Sequence, residues 1–140
     1  MGYWKFFEYI TAVGQNPTRD WYNAQTDVVK LQFDVTLALL RATRNWEDRG
    51  LKNFKILTAR HLGLAEVRFS VPHAASSLKR KVDQRFRAVG IWPPHSPGEF
   101  ILLLGSSKVR GTYIPHMAFD VAMSHKLDFE QGKGSINERF

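Results

Sequence analysis

Cysteine is missing altogether from the 140 residues, and its absence removes disulfides, thiolate zinc sites and thiol nucleophiles. A reducing compartment fits that absence, and the cytoplasm is the simplest home. Long apolar runs are also lacking. The densest, Ile101 to Leu104, is a short burst between polar neighbours, far below the roughly 20 apolar residues that cross a bilayer. The opening Met1-Gly-Tyr-Trp-Lys-Phe-Phe-Glu has no basic start, long apolar core or small-residue cleavage site, so no secretory signal is expected. The expectation is a soluble chain with no membrane partner. The five histidines show neither HExxH spacing nor CxxC partners, which argues against an active-site metal. Gly63 and Gly105 stand alone, outside GxGxxG or GxxxxGK[ST], so no nucleotide loop is expected and no cofactor is assigned.

Acidic residues are scarce where basic ones are dense. Twenty Lys and Arg against thirteen Asp and Glu leave a net charge of +7 and a pI near 9.9, and between Lys52 and Lys108 the only acids are Glu66, Asp83 and Glu99. Such an excess calls for an anionic partner: nucleic acid, an acidic protein or a membrane surface. With 44% hydrophobic residues, the chain can bury one core, and residues 1–140 read as a single domain.

Tyr3 to Ile10 is rich in aromatics and stops before Gly14 and Asn16-Pro17, the pattern of a strand and a turn. Val28, Leu31, Val35, Ala38 or Leu39, Ala42 and Trp46 recur at three- and four-residue steps and predict an amphipathic helix ended by Gly50. Trp21 and Tyr22 suit a short helix of their own, with Thr26 or Asp27 capping the longer one. Ala65 to Val71 alternates as a half-buried strand, and Arg85 to Trp92 does so less cleanly; Phe100 to Leu104 reads as a central strand. Polar loops at Pro72–Gln84 and Pro93–Gly98 separate the three, giving a meander. Pro115 suits the first turn of a closing helix with Met117 or Ala118, Val121, Ala122 and Leu127 inward, and the tail from Gly132 looks frayed. The order predicts an α+β fold: a small antiparallel sheet, the N-terminal strand plus the meander, packed with helices.

Cations fall on strands that ought to be neighbours: Lys55, Arg68, Arg85, Arg87, Lys108 and Arg110. Residues two apart on a strand share a face, so Arg85 and Arg87 project together, and Arg68 can stand opposite one of them. Phosphate is the natural counter-charge, because guanidinium forks grip its oxygens and lysine adds a point charge. The alternative is a solvated outer face of a basic sheet.

The blocks Phe54-Lys55-Ile56-Leu57, Gly63-Leu64-Ala65-Glu66-Val67-Arg68-Phe69, Phe86-Arg87-Ala88-Val89 and Phe100-Ile-Leu-Leu-Leu104-Gly105-Ser-Ser-Lys108, followed by Pro115, resemble in order those of the HigB-like, phage-derived toxins of the RelE/ParE superfamily. Departures are the long Pro72–Gln84 and Pro93–Gly98 loops and Gly111-Thr-Tyr113-Ile in place of a lysine-rich run. The resemblance implies a RelE-like fold and a small toxin ribonuclease acting on mRNA, often within the ribosome, neutralised by a cognate antitoxin. It also implies that Lys55, Arg68, Arg87 and Lys108 match the family's basic blocks.

RNA is cut without metal when its 2′-hydroxyl attacks the adjacent phosphate, given a base, stabilisation of the phosphorane and an acid for the leaving 5′-oxygen. Lys55 or Lys108, crowded by like charge, suits the base; Arg68 and Arg87 suit the phosphate. His116 is a candidate acid or base, with a helix-cap or surface role as its alternative. Tyr113 either stacks on a base or packs in the core. Arg85 and Arg110 would bind RNA, and Lys79, Arg80 and Lys81 would touch only its backbone. Other readings are a non-enzymatic ParE-like inhibitor, a phage structural protein, or a plain RNA-binding domain.

Overall fold

The computed structural model describes residues 2–47, 51–72, 84–94, 96–109 and 112–139. The elements run β1 (Lys5–Ile10), α1 (Pro17–Asn23), α2 (Asp27–Ala42), β2 (Phe54–Ile56), a 3₁₀ turn (Ala59–His61), β3 (Leu64–Val71), β4 (Gln84–Ile91), β5 (Glu99–Val109), β6 (Thr112–Ile114), α3 (Ala118–Glu130) and β7 (Ser135–Glu138). The class is α+β, and β3, β4 and β5 form the expected antiparallel meander. The sheet is larger than expected and mixed. Its seven described strands follow the order β2-β3-β4-β5-β1-β7, with β6 beside β5, and β1 lies parallel to β5 rather than antiparallel. Two short strands share one edge of β5: β1 takes Glu99 to Leu102 and β6 takes Ser107 to Val109. That double pairing accounts for β5 outrunning its apolar core, Phe100 to Leu104.

Helices cover both faces. On one, α1 and α2 enclose Phe6, Phe33, Leu37, Leu40, Val67, Phe69, Phe86 and Phe100. Asn16 caps α1 and Thr26 caps α2 through side-chain oxygens that accept from Arg19 N and Val29 N, satisfying donors that a helix start leaves open. Trp21 of α1 lies so close to Gly105 that a Cβ there would come within 2.1 Å of its ring, which explains a glycine inside a central strand. On the opposite face α3 buries Ala118 and Ala122 over Leu64, Val89, Ile101 and Leu103; of the pair Met117 or Ala118 it is Ala118 that faces inward, and Leu127, expected inward, is exposed.

The inward face of α2 is not the one its spacing suggested. Val29, Phe33, Thr36, Leu37 and Leu40 are buried, whereas Val28, Leu31, Val35 and Leu39 are exposed. The helix carries two apolar stripes, and periodicity alone cannot rank them. Phe33 decides the matter, because its ring meets those of Trp21, Tyr22 and Phe69 and brings the larger aromatic area. The helix also ends at Ala42 rather than running to Gly50, which lies outside the described residues. Trp46 returns to the core by the following turn and donates its indole N–H to Leu40 O at 2.7 Å.

The tail is not frayed. From Ser135 it forms β7, antiparallel to β1, and it ends on a buried ion network. Arg139 pairs with Glu8 and donates to Asp34 at 3.1 Å, its guanidinium lying 4.4 Å from the Tyr22 ring centre. Glu8 also receives Arg19 at 3.2 Å and the Asn16 amide at 3.1 Å. A tail reading as polar is thus held by partners 105 and 131 residues away. Removing one side of a buried pair strands the other charge. Arg139→Ala is therefore expected to destabilise the fold by about 3–5 kcal/mol in urea unfolding; a loss under about 1 kcal/mol, the scale of an exposed pair, would show that Glu8 does not depend on this arginine.

Candidate anion-binding cleft

Strand register decides which cations meet. Arg68 stands across from Arg87 and Ser70 from Arg85 on the β3–β4 pair; Arg87 faces Ser106 and Arg85 faces Lys108 on β4–β5; Lys55 faces Glu66 on β2–β3. Since alternate residues share a face, Lys55, Glu66, Arg68, Arg85, Arg87, Ser106 and Lys108 all lie on the side where α3 packs. The α3 core takes in Leu57, Leu64, Val89, Ile91 and Leu103, and the cations occupy the remainder of that face.

There the surface forms an open cleft of about 570 Å³, lined by Lys52, Asn53, Arg68, Phe69, Ser70, Arg85 and Arg87. Asn53 clamps β3 at this point, accepting from Arg68 N at 2.8 Å and donating its side-chain amide to Arg68 O at 2.9 Å. Lys52 and Arg85 are exposed, and Arg68 is half-buried. Lys55 and Lys108 flank the cleft from the outer strands, Lys108 with its ammonium 5.5 Å from the Tyr113 ring centre.

Beneath the cations lies a carboxylate. Glu66 is 4% exposed and its Oε1 is 3.5 Å from Arg87 Nε. Burial pushes its carboxyl above the ordinary value of 4.5, against the opposing pull of Arg87, Arg68, Lys55 and Lys108, in that order. All four cations expected to converge are thus electrostatically coupled to one buried group. Glu66 Oε2, Arg68 Nε and Arg87 Nε are covered and have no hydrogen-bond partner among the described residues. One carboxylate cannot neutralise four cations, so the cleft keeps a positive excess able to hold an anion.

The remaining candidates are scattered. Tyr113 is half-buried, with Lys108 on one side and the Phe119 ring 5.0 Å away on the other, so the core-packing reading applies and stacking on a base is confined to its open part. His116 is exposed and lines a different cleft, of about 270 Å³, with Arg60, His61, Tyr113 and Asp120. In that cleft His61 is bound to Asp120 at 2.8 Å, and this bond holds the Asp120 carboxyl below its usual value. Arg110, Lys79, Arg80 and Lys81 lie outside the described residues. Glu66, Lys52 and Asn53 were not singled out from the sequence. Glu66 carried a usable signal, an acid two positions from Arg68 on an alternating strand; Lys52 and Asn53 carried none.

Neither the family models, the curated proteins nor the solved structures contain a match to this chain.

The Glu66 coupling is measurable by carbon-detected NMR titration. Its carboxyl should titrate above 4.5, and Arg87→Met should raise the midpoint further, because Arg87 is the strongest opposing influence. An unmoved midpoint would mean that Arg87 and Glu66 are not coupled. Between the unfolded value and the raised native one the native state holds the extra proton, so this group's contribution to stability falls as pH rises through that window and is complete below it.

Proposed function

We propose that the chain is a metal-independent endoribonuclease, the toxin of a toxin–antitoxin pair of the HigB-like kind, acting on mRNA in the cytoplasm. The observation that carries this reading is the convergence of Lys55, Arg68, Arg87 and Lys108, from four neighbouring strands, around one buried carboxylate. Each of the four cation-bearing blocks that resemble that family delivers its cation to the same face.

In this reading the scissile phosphate enters the cleft. Arg68 and Arg87 bind its non-bridging oxygens and stabilise the charge that grows in the phosphorane. A 2′-oxygen–phosphorus bond forms and the phosphorus–5′-oxygen bond breaks. The 2′-hydroxyl proton leaves to a base, and a proton is delivered to the departing 5′-oxygen. Lys55 and Lys108, on opposite flanks, supply these two transfers. Glu66 is too covered to touch RNA; it is a positioning residue that orients Arg87 and reduces repulsion among the cations. His116 takes no part. A cognate antitoxin rich in acidic residues would silence the site by covering it. A binder that grips phosphate without cutting it would use the same groups, and the assay separates the two.

Purified protein, with or without ribosomes, is expected to cleave RNA in EDTA and leave a 2′,3′-cyclic phosphate. Arg87→Ala should slow this by about 10²- to 10³-fold. RNA binding without product would favour the binder, and rescue by a divalent ion after EDTA inactivation would overturn the metal-free route.

The salt dependence of RNA binding gives a second check. Replacing Arg85 by Ala should lower the slope of log affinity against log salt by about one unit. An unchanged slope would remove Arg85 from the interface.

A further inference from the structure

The outer face of α2 is left in water by the fold although its chemistry suits a buried surface. Val28, Leu31, Val35 and Leu39 are 62%, 65%, 51% and 47% exposed, and Ala38 and Ala42 are exposed beside them. Positions 28, 31, 35, 38 and 42 alternate steps of three and four, the seam of a helix that packs lengthwise on another helix. A contiguous apolar stripe of this kind marks an interaction surface. Because the inner side of α2 packs on Phe69 and Phe86, on the opposite side of the sheet from Arg68 and Arg87, the stripe and the cleft face away from each other.

The stripe is graded along its length. Val28 and Leu31 fill its N-terminal half, while its C-terminal half sets Leu39 beside the small Ala38 and Ala42, with a depression of about 280 Å³ lined by Gly2, Ala38, Arg41 and Ala42. Charge is graded in the same direction: Asp27 lies in the first turn and Arg41 in the last, with Arg44 exposed just beyond. We propose that α2 pairs antiparallel with α2 of a second copy of this chain, about a two-fold axis at Val35. Val28 of each copy then lies over Ala42 of the other, at the depression, Leu31 lies over Leu39, and Asp27 meets Arg41 and Arg44 across the axis. The opposed helix dipoles favour the same direction. A parallel pair would place Asp27 on Asp27 and Arg41 on Arg41. The surface is complementary to itself in charge, as a two-fold interface requires. Sixteen residues span about 24 Å, a short seam, and a reversible dimer with a dissociation constant of about a micromolar is expected.

Sedimentation equilibrium of the full chain across the micromolar range should show monomer and dimer exchanging with concentration. Leu31→Glu should weaken association more than about tenfold by burying an unpaired charge, with circular dichroism and thermal unfolding unchanged because the position is already solvated. Since the chain has no cysteine, single thiols report the geometry directly. Val35→Cys should form an intermolecular disulfide under mild oxidation. Val28→Cys should not, its two copies lying about 21 Å apart in the antiparallel pair, beyond disulfide reach. A monomer at every concentration would overturn the proposal. So would a dimer that Leu31→Glu leaves intact, or Val28→Cys cross-linking as readily as Val35→Cys.

Discussion

Glu66 is the constraint around which this face of the sheet is arranged. Four strands each bring a cation to it, and like charges at cross-strand distance repel one another. Arg68 directly opposite Arg87 is an unfavourable pair unless something negative lies close to both. Glu66 supplies that charge from the row beside them, and its burial raises the carboxyl above its ordinary value. Desolvation disfavours the carboxylate, and the surrounding cations only partly restore it. The site is therefore internally unbalanced: enough negative charge to let the strands pair, too little to neutralise the cleft.

The sheet's topology makes this geometry available. β5 is long because two separate strands use one of its edges, and the stretch that serves β6, Ser107 to Val109, is the stretch that carries Lys108 to Arg85. On the face away from the cations Gly105 yields its side-chain space to Trp21, locking α1 against that face. One side of β5 is thereby fixed in the aromatic core while the other is left to the cations. The division of labour is set by the two-residue alternation of a strand: apolar Phe86 and Ala88 go inward, and Arg85 and Arg87 go to the cleft.

That alternation is also why the cation set was legible from sequence. Arg68, Arg85 and Arg87 sit on strands whose periodicity is visible over a few residues, and the meander order brings those strands together. Three features were not legible, each because it depends on distant partners. The face of α2 turned on Phe33 meeting rings from α1 and β3. The parallel insertion of β1 between β5 and β7 leaves no local trace. The terminal strand looked like a polar tail because Arg139 has its meaning only beside Glu8 and Asp34. For the site the same rule holds: Glu66 could be placed on the right face by counting, but its burial, and hence its chemistry, follows from what stacks around it.

Glu8 and Glu66 show how burial of the same side chain leads to opposite outcomes. Both are about 3–4% exposed. Glu8 receives Arg139, Arg19 and the Asn16 amide on its two oxygens, within a network closed by Asp34 and the Tyr22 hydroxyl, which donates to Asp34 at 2.6 Å. Its donors are committed to fixing the C-terminal strand. Glu66 has one long contact, from Arg87 Nε at 3.5 Å, and among the described residues its Oε2, like Arg68 Nε beside it, has no hydrogen-bond partner. Unmade hydrogen bonds among buried charged groups are costly, and Glu8, with three donors on its two oxygens, leaves fewer of them unmade than Glu66 does. Glu8 thereby ties the terminal strand to the sheet, whereas burial keeps the Glu66 carboxyl raised beneath an open cleft lined by Arg68, Arg85 and Arg87.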